Sequence, residues 1–155
     1  MEELSFLKVI LLAEDDADDR ELFCEALSDN LKRINIHCTE NGQEALDKLE
    51  HFTVMPDMIF LDINMPVMNG WQCLKKLKET EAYKHIPVIM FSTSSHQRDA
   101  NIALDLGALC FFTKPGDFNQ LKNILEVIAS NTPENILEAV SKYESIKAHK
   151  IFACS

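Results

Sequence analysis

Five times along this chain a short apolar run stops at a polar residue and gives way to a segment with helical spacing, an alternation that sharply narrows the possible folds. The run Lys8 to Ala13 is rich in Val, Ile and Leu and too short for an average helix, so it predicts a buried strand. It stops at Glu14-Asp15-Asp16, and from Asp18 to Leu31 the apolar residues Leu22, Phe23, Ala26 and Leu27 recur on one helical face. Arg33 to Thr39 alternates like a strand, Asn41-Gly42 breaks it, and Gln43 to His51 groups Ala45, Leu46 and Leu49 as a helix would. Met58 to Leu61 is a third strand ending at Asp62, and a loop with Pro66, Asn69 and Gly70 leads into a helix from about Trp71 to Lys78. Pro87 to Phe91 and Leu109 to Thr113 are the fourth and fifth strands, followed by helices at Gln97 to Leu106 and Phe118 to Ala129.

Parallel strands need crossover connections, and those are right-handed, so the alternation predicts an α/β fold with a doubly wound five-stranded parallel sheet covered on both faces. In such a sheet the functional crevice lies beyond the carboxyl ends of the strands, where the winding reverses. At 155 residues with 46% hydrophobic content the chain can bury one good core, with little room for a second domain. Thr132, Pro133 and Glu134 look like a helix start, and Ile136, Val140, Tyr143 and Lys147 follow at helical spacing. The expected organisation is therefore a domain over residues 1–130 and a C-terminal helical extension over 131–155 with no output domain. That extra helix either packs back on the domain or serves as an interface, including that of a possible homodimer.

The 25 acidic residues outweigh 15 basic ones to give a net charge of -10, which opposes direct nucleic-acid binding because that relies on clustered Lys and Arg. No stretch approaches the roughly 20 apolar residues of a membrane span, and Glu2 and Glu3 replace the basic start of a signal peptide. A soluble, cytoplasmic protein is expected, with no membrane association. Its five cysteines are odd in number and form no CxxC pair, which favours free thiols in a reducing compartment over disulfides or zinc. The five histidines show no metal-ligand spacing.

Chemistry gathers at the strand ends: Asp15 and Asp16 after the first, Asp62 after the third, Ser92 and Thr93 after the fourth, Lys114 after the fifth. If the strand order is 2-1-3-4-5, the first and third strands are neighbours and three carboxylates share a small volume. Close anions repel, and a cation relieves them. Oxygen donors suit Mg2+, so direct coordination is assigned to Asp16 and Asp62 with the backbone carbonyl of Asn64, and Asp15 acts through bound water. Asp62 is also placed to attack a phosphorus, with Lys114 and Ser92 or Thr93 available for the phosphoryl oxygens. No organic cofactor is implied.

The segments E-D-D at Glu14 to Asp16, L-D-I-N-M-P at Leu61 to Pro66, N-G at Asn69-Gly70 and T-K-P at Thr113 to Pro115 closely resemble the pattern of response regulator receiver domains, over about residues 6 to 130. The resemblance implies a flavodoxin-like fold and a stand-alone signalling switch whose Asp62 takes a phosphoryl group from a histidine kinase or a histidine phosphotransfer protein. It implies Ser92 as the switch hydroxyl, Lys114 as its charged partner, Phe111 as the aromatic that rotates in concert, and Pro115 at a cis-peptide position. A downstream protein target would read the face of the fourth helix, fifth strand and fifth helix, roughly Gln97 to Ala129. Such a protein is a phosphoacceptor that assists only its own phosphorylation and dephosphorylation, not an enzyme acting on others.

Some positions depart from the usual pattern: Ser92 stands where Thr is common, Thr93 where a small residue is usual, and Phe111 lacks a tyrosine hydroxyl. The resemblance implies that Asn64 and Ser94 occupy positions that in this family tune the lifetime of the phosphoryl group. A relay intermediate or a phosphate sink are alternative roles for the same chemistry. A metal-dependent aspartyl-phosphate phosphatase fits less well, because its general acid would stand at Asn64, which cannot donate the proton.

Overall fold

Strand and helix alternate as the hydrophobic pattern requires, and the strands collect into one sheet. The computed structural model describes residues 8–30, 34–93, 97–147 and 152–154. Strands β1 (Lys8–Ala13), β2 (Ile34–Thr39), β3 (Met58–Asp62), β4 (Val88–Ser92) and β5 (Cys110–Thr113) alternate with helices α1 (Ala17–Asn30), α2 (Gly42–Leu49), α3 (Gly70–Glu79), α4 (Gln97–Asp105) and α5 (Phe118–Ala129). The five strands are parallel in the order 2-1-3-4-5, the doubly wound, flavodoxin-like arrangement expected from the sequence.

Side chains alternate across each strand, so the sheet builds two cores. Ile10, Leu12, Met58, Phe60, Ile89, Phe91 and Phe112 face α1 and α5, whereas Leu11, Ala13, Ile59, Leu61, Val88, Met90 and Phe111 face α2, α3 and α4. On the first face Phe23 meets Phe60 edge-on at 5.3 Å and tilts against Phe91 at 5.1 Å, and Phe91 stacks on Phe112 at 5.7 Å. Burying each ring contributes about 1.5–3 kcal/mol, and each aromatic pair adds about 0.5–1.5 kcal/mol.

The C-terminal segment adds two elements. Helix α6 (Pro133–Lys147) packs back on the domain against α5, with Ile136 and Val140 buried in the α1/α5 core and Tyr143 resting on it. Strand β6 (Phe152–Cys154), which the sequence analysis does not anticipate, pairs antiparallel with the outer edge of β5. Its register sets Cys110 opposite Cys154, and Cys110 is disulfide-bonded. That corrects the expectation of five free thiols, while Cys24, Cys38 and Cys73 are free. Among the described residues no helix is long and apolar enough to cross a membrane.

Candidate functional site

The two Asn-Gly pairs shape the rim of the sheet. Asn41 caps α2 by accepting a hydrogen bond from the Glu44 N–H at 2.9 Å, and Asn69 caps α3 in a reciprocal capping box with Gln72. Each following glycine starts its helix where a side chain has no room. A Cβ on Gly70 would lie 2.3 Å from the Asp62 carbonyl oxygen, and one on Gly42 would lie 2.9 Å from the Met68 carbonyl oxygen. The first turn of α3 therefore lies directly against the backbone of Asp62, tied by a 2.8 Å bond from the Gly70 N–H to the Ile63 carbonyl. Between them Val67 adopts φ 65°, a rare conformation for a β-branched residue, as the Met68 N–H turns back to the Pro66 carbonyl at 2.6 Å.

Asp62 ends β3 and is largely buried at 7% exposure. Its acidic neighbours are Glu14 and Asp15, and carboxylate oxygens of all three lie within 4.8 Å of one another. The motif pattern groups Asp15 and Asp16 with Asp62, and in the structure Asp15 lies there together with Glu14, the residue before it. The Glu14 N–H still bonds the Thr39 carbonyl at 3.0 Å, so Glu14 continues the strand rim and is 1% exposed. Asp16 is exposed and caps α1, its Oδ1 accepting from the Asp19 N–H at 3.0 Å. A helix beginning at Ala17 needs that cap, and this was the signal available in the sequence. Arg20 fastens the acidic loop from above, donating to the carbonyls of Glu14 at 2.8 Å and Asp15 at 3.0 Å.

Lys114 follows β5, and its N–H bonds the Ser92 carbonyl at 2.7 Å. The ammonium donates to Glu14, donates to Asp19 Oδ2 at 2.9 Å, and stands 3.9 Å from Asp62 Oδ2. It also lies 5.2 Å from the centre of the Phe91 ring, which links the charged rim to the aromatic core. Asp19 and Phe91 carry no motif signal and were not foreseen. Burial pulls the Lys114 amine down, but its hydrogen bonds to Glu14 and Asp19 and the charge of Asp62 outweigh that and hold it above the ordinary lysine range. Burial, then the hydrogen bond shared with Asp62, push the Glu14 carboxyl up to about 8, with Lys114 opposing them. The acidic groups at this rim outnumber the one ammonium, and a proton on Glu14 or a divalent cation relieves the excess. Three clustered carboxylates are hard oxygen donors and fit Mg2+.

The remaining predicted residues fall on the same rim or close to it. Ser92 is buried at the end of β4, Thr93 beside it is exposed, and Phe111 is buried within β5. Asn64 is exposed two residues past Asp62, and Ser94 lies outside the described residues. No cis peptide occurs among the described residues, so the bond into Pro115 is trans, contrary to the expectation from the resemblance.

Known proteins share both the sequence and the geometry. Protein-glutamate methylesterase/protein-glutamine glutaminase of Bacillus subtilis is 38% identical over 108 residues, which is 68% of this chain and 29% of that protein. The chain spans half or less of the length of the curated relatives it matches first. Among solved structures, the phosphorylated cyanobacterial phytochrome response regulator RcpA superposes with a TM-score of 0.71 at 32% identity, covering 77% of this chain and 89% of that one. The Mn(2+)-bound form of response regulator Rcp1 gives 0.71 at 29% identity, covering 79% and 92%. The family model for the response regulator receiver domain matches residues 10–126, which include every strand of the parallel sheet in whole or in part together with Glu14, Asp15, Asp62, Ser92 and Lys114. The chain belongs to the response regulator receiver domain family.

Proposed function

We propose that this protein is a phosphorylation-controlled switch in two-component signalling whose phosphoryl acceptor is Asp62. The observation that carries the reading is the placement of the Asp62 carboxylate among Glu14 and Asp15 on one side and the Lys114 ammonium on the other, at the carboxyl ends of β3, β1 and β5. An oxygen of Asp62 attacks the phosphorus of a phosphohistidine on a sensor kinase or phosphotransfer protein. The new P–O bond forms as the donor's P–N bond breaks, and the imidazole leaves with the donor's electron pair. Lys114 pairs with the transferred oxygens, moving from its present partners Glu14 and Asp19, and the Ser92 hydroxyl turns toward the same group.

Asp15, Asp62 and Glu14 would hold Mg2+, with the Asn64 carbonyl completing the protein ligands, and Asp16 is left to cap α1. When bound, the ion neutralises charge on the transferred group. Asn64 and Ser94 flank the approach of the hydrolytic water and set the lifetime of the acyl phosphate. Phosphorylation adds charge and strong acceptors beside Ser92, which biases the β4–α4 segment and Phe111 between two arrangements. A downstream protein then reads the surface of α4, β5 and α5. Strand β6 runs along β5 and touches α4, so that partner meets the C-terminal strand as part of the surface.

The test is incubation of the full chain with acetyl phosphate and Mg2+ followed by intact-mass measurement. A gain of one phosphoryl group is expected for the wild type and none for Asp62→Asn. A gain that persists in Asp62→Asn places the acceptor elsewhere and overturns the reading.

A further inference from the structure

Away from the acidic rim, two cysteines face each other across the junction of α1 with the edge strand β2. Cys24 Sγ and Cys38 Sγ are 3.1 Å apart, close enough for a thiol hydrogen bond and about 1 Å short of the approach to a disulfide bond length of about 2.05 Å. The placement follows from the fold. Cys24 sits one helical turn after Arg20, and Cys38 sits two residues before Glu40 on the facing strand, where Arg20 and Glu40 pair at 3.8 Å. β2 is bonded to β1 alone among the described strands, so Cys38 is open to solvent while Cys24 is half-buried behind it. Cys73 offers an internal contrast, being fully buried in the core with its thiol donating to the Gly42 carbonyl at 3.7 Å.

We propose that Cys24 and Cys38 are a thiol-modification site that a peroxide oxidises to an intrachain disulfide, covalently joining α1 to β2. The exposed Cys38 sulfur is the attacking atom. It takes an oxygen from the peroxide as the O–O bond breaks, giving a sulfenic acid and hydroxide, and the hydroxide collects a proton to become water. Cys24 sulfur then attacks Cys38 sulfur, the S–O bond breaks, and the departing hydroxide leaves as water with the Cys24 proton. The two thiols lose two electrons and two protons in total, and hydrogen peroxide is reduced to two waters.

The electrostatics support that order of events. The hydrogen bond from Cys24, aided by the Arg20 charge and opposed by burial, lowers the Cys38 thiol to about 7. The same hydrogen bond, then burial, raises the Cys24 thiol well above its ordinary range. The exposed Cys38 is thus the sulfur that ionises more readily, and the half-buried Cys24 is the one left to resolve the sulfenic acid. Arg20 also holds the carbonyls of Glu14 and Asp15, so the thiol pair lies one helical turn from the residue that fastens the acidic loop.

To test this, the full chain is reduced, desalted, exposed to hydrogen peroxide and alkylated with iodoacetamide, and its peptides are mapped without reduction. The expected product is a linked pair of peptides containing Cys24 and Cys38, lighter by two hydrogens, with Cys73 alkylated only on unfolding. In Cys24→Ala, Cys38 is expected to be trapped by dimedone as the sulfenic acid. In the wild type, alkylation of Cys38 should rise with pH to a midpoint near 7, against about 8.5 for an ordinary thiol. Cys24→Ala should move that midpoint upward. Recovery of Cys24 and Cys38 both alkylated after peroxide treatment of the wild type would overturn the proposal, as would a Cys38 that reacts no faster than Cys73.

Discussion

The two faces of the sheet are packed with different materials. Toward α1 and α5 the core is a run of touching rings, Phe23, Phe60, Phe91 and Phe112, and the Lys114 ammonium lies over one of them. Toward α2, α3 and α4 the buried residues are mainly aliphatic side chains with Met65, Met68 and Met90, one buried ring, Phe111, and small residues under α4 at Ala100 and Ala103, while Phe52, Trp71 and Tyr83 pack partly buried at the margin. Rings in fixed edge and stacked geometries resist displacement, whereas thioethers re-pack and alanines give a helix little to interlock with. The rigid face holds Lys114 where a phosphoryl group would arrive. The adaptable face carries the elements that the switch would have to move.

That contrast can be broken most directly at Phe60, which is fully buried. Phe60→Ala is expected to cost about 3–5 kcal/mol, seen as a lower urea midpoint with unchanged slope. A smaller cost is expected on the other face from overfilling: Ala103→Leu adds volume beneath α4 and should destabilise by about 1–3 kcal/mol by the same measurement. If α4 is as loosely seated as its two alanines suggest, the value will fall at the low end of that range. The smallest effect belongs to Met90→Leu, under about 1.5 kcal/mol, because the exchange conserves volume in a core able to re-pack. Should Phe60→Ala prove no costlier than Met90→Leu, the division into a rigid and an adaptable face fails.

The sheet was legible because its signal is repeated and local. Each strand is an apolar run bounded by polar residues, and β1 and α5 have the limits that the hydrophobic pattern predicts. Asp62 and Lys114 were legible for the same reason, since a residue that ends a parallel strand must lie at the rim. Glu14 was obscured by a phase ambiguity of one residue in a run of three acids, where the strand rim and the helix cap compete for the same residue type. The structure resolves it by giving Glu14 to the rim and Asp16 to the cap. Asp19 and Phe91 reach Lys114 only through tertiary packing, which leaves no local trace. β6 escaped because a three-residue strand after a helix has no periodicity to read, and its pairing with β5 joins residues about forty apart in sequence.

β6 also changes how the molecule meets its own copies. A bare outer edge on β5 would present a row of unpaired N–H and C=O groups, an invitation to strand addition and aggregation. Strand β6 occupies that row in the antiparallel sense, which β1 to β5 do not use among themselves. The sheet now ends in β6, a strand of three residues, and in β2, a strand of six, so sheet-to-sheet growth between molecules has the longer row to pair with on the β2 flank.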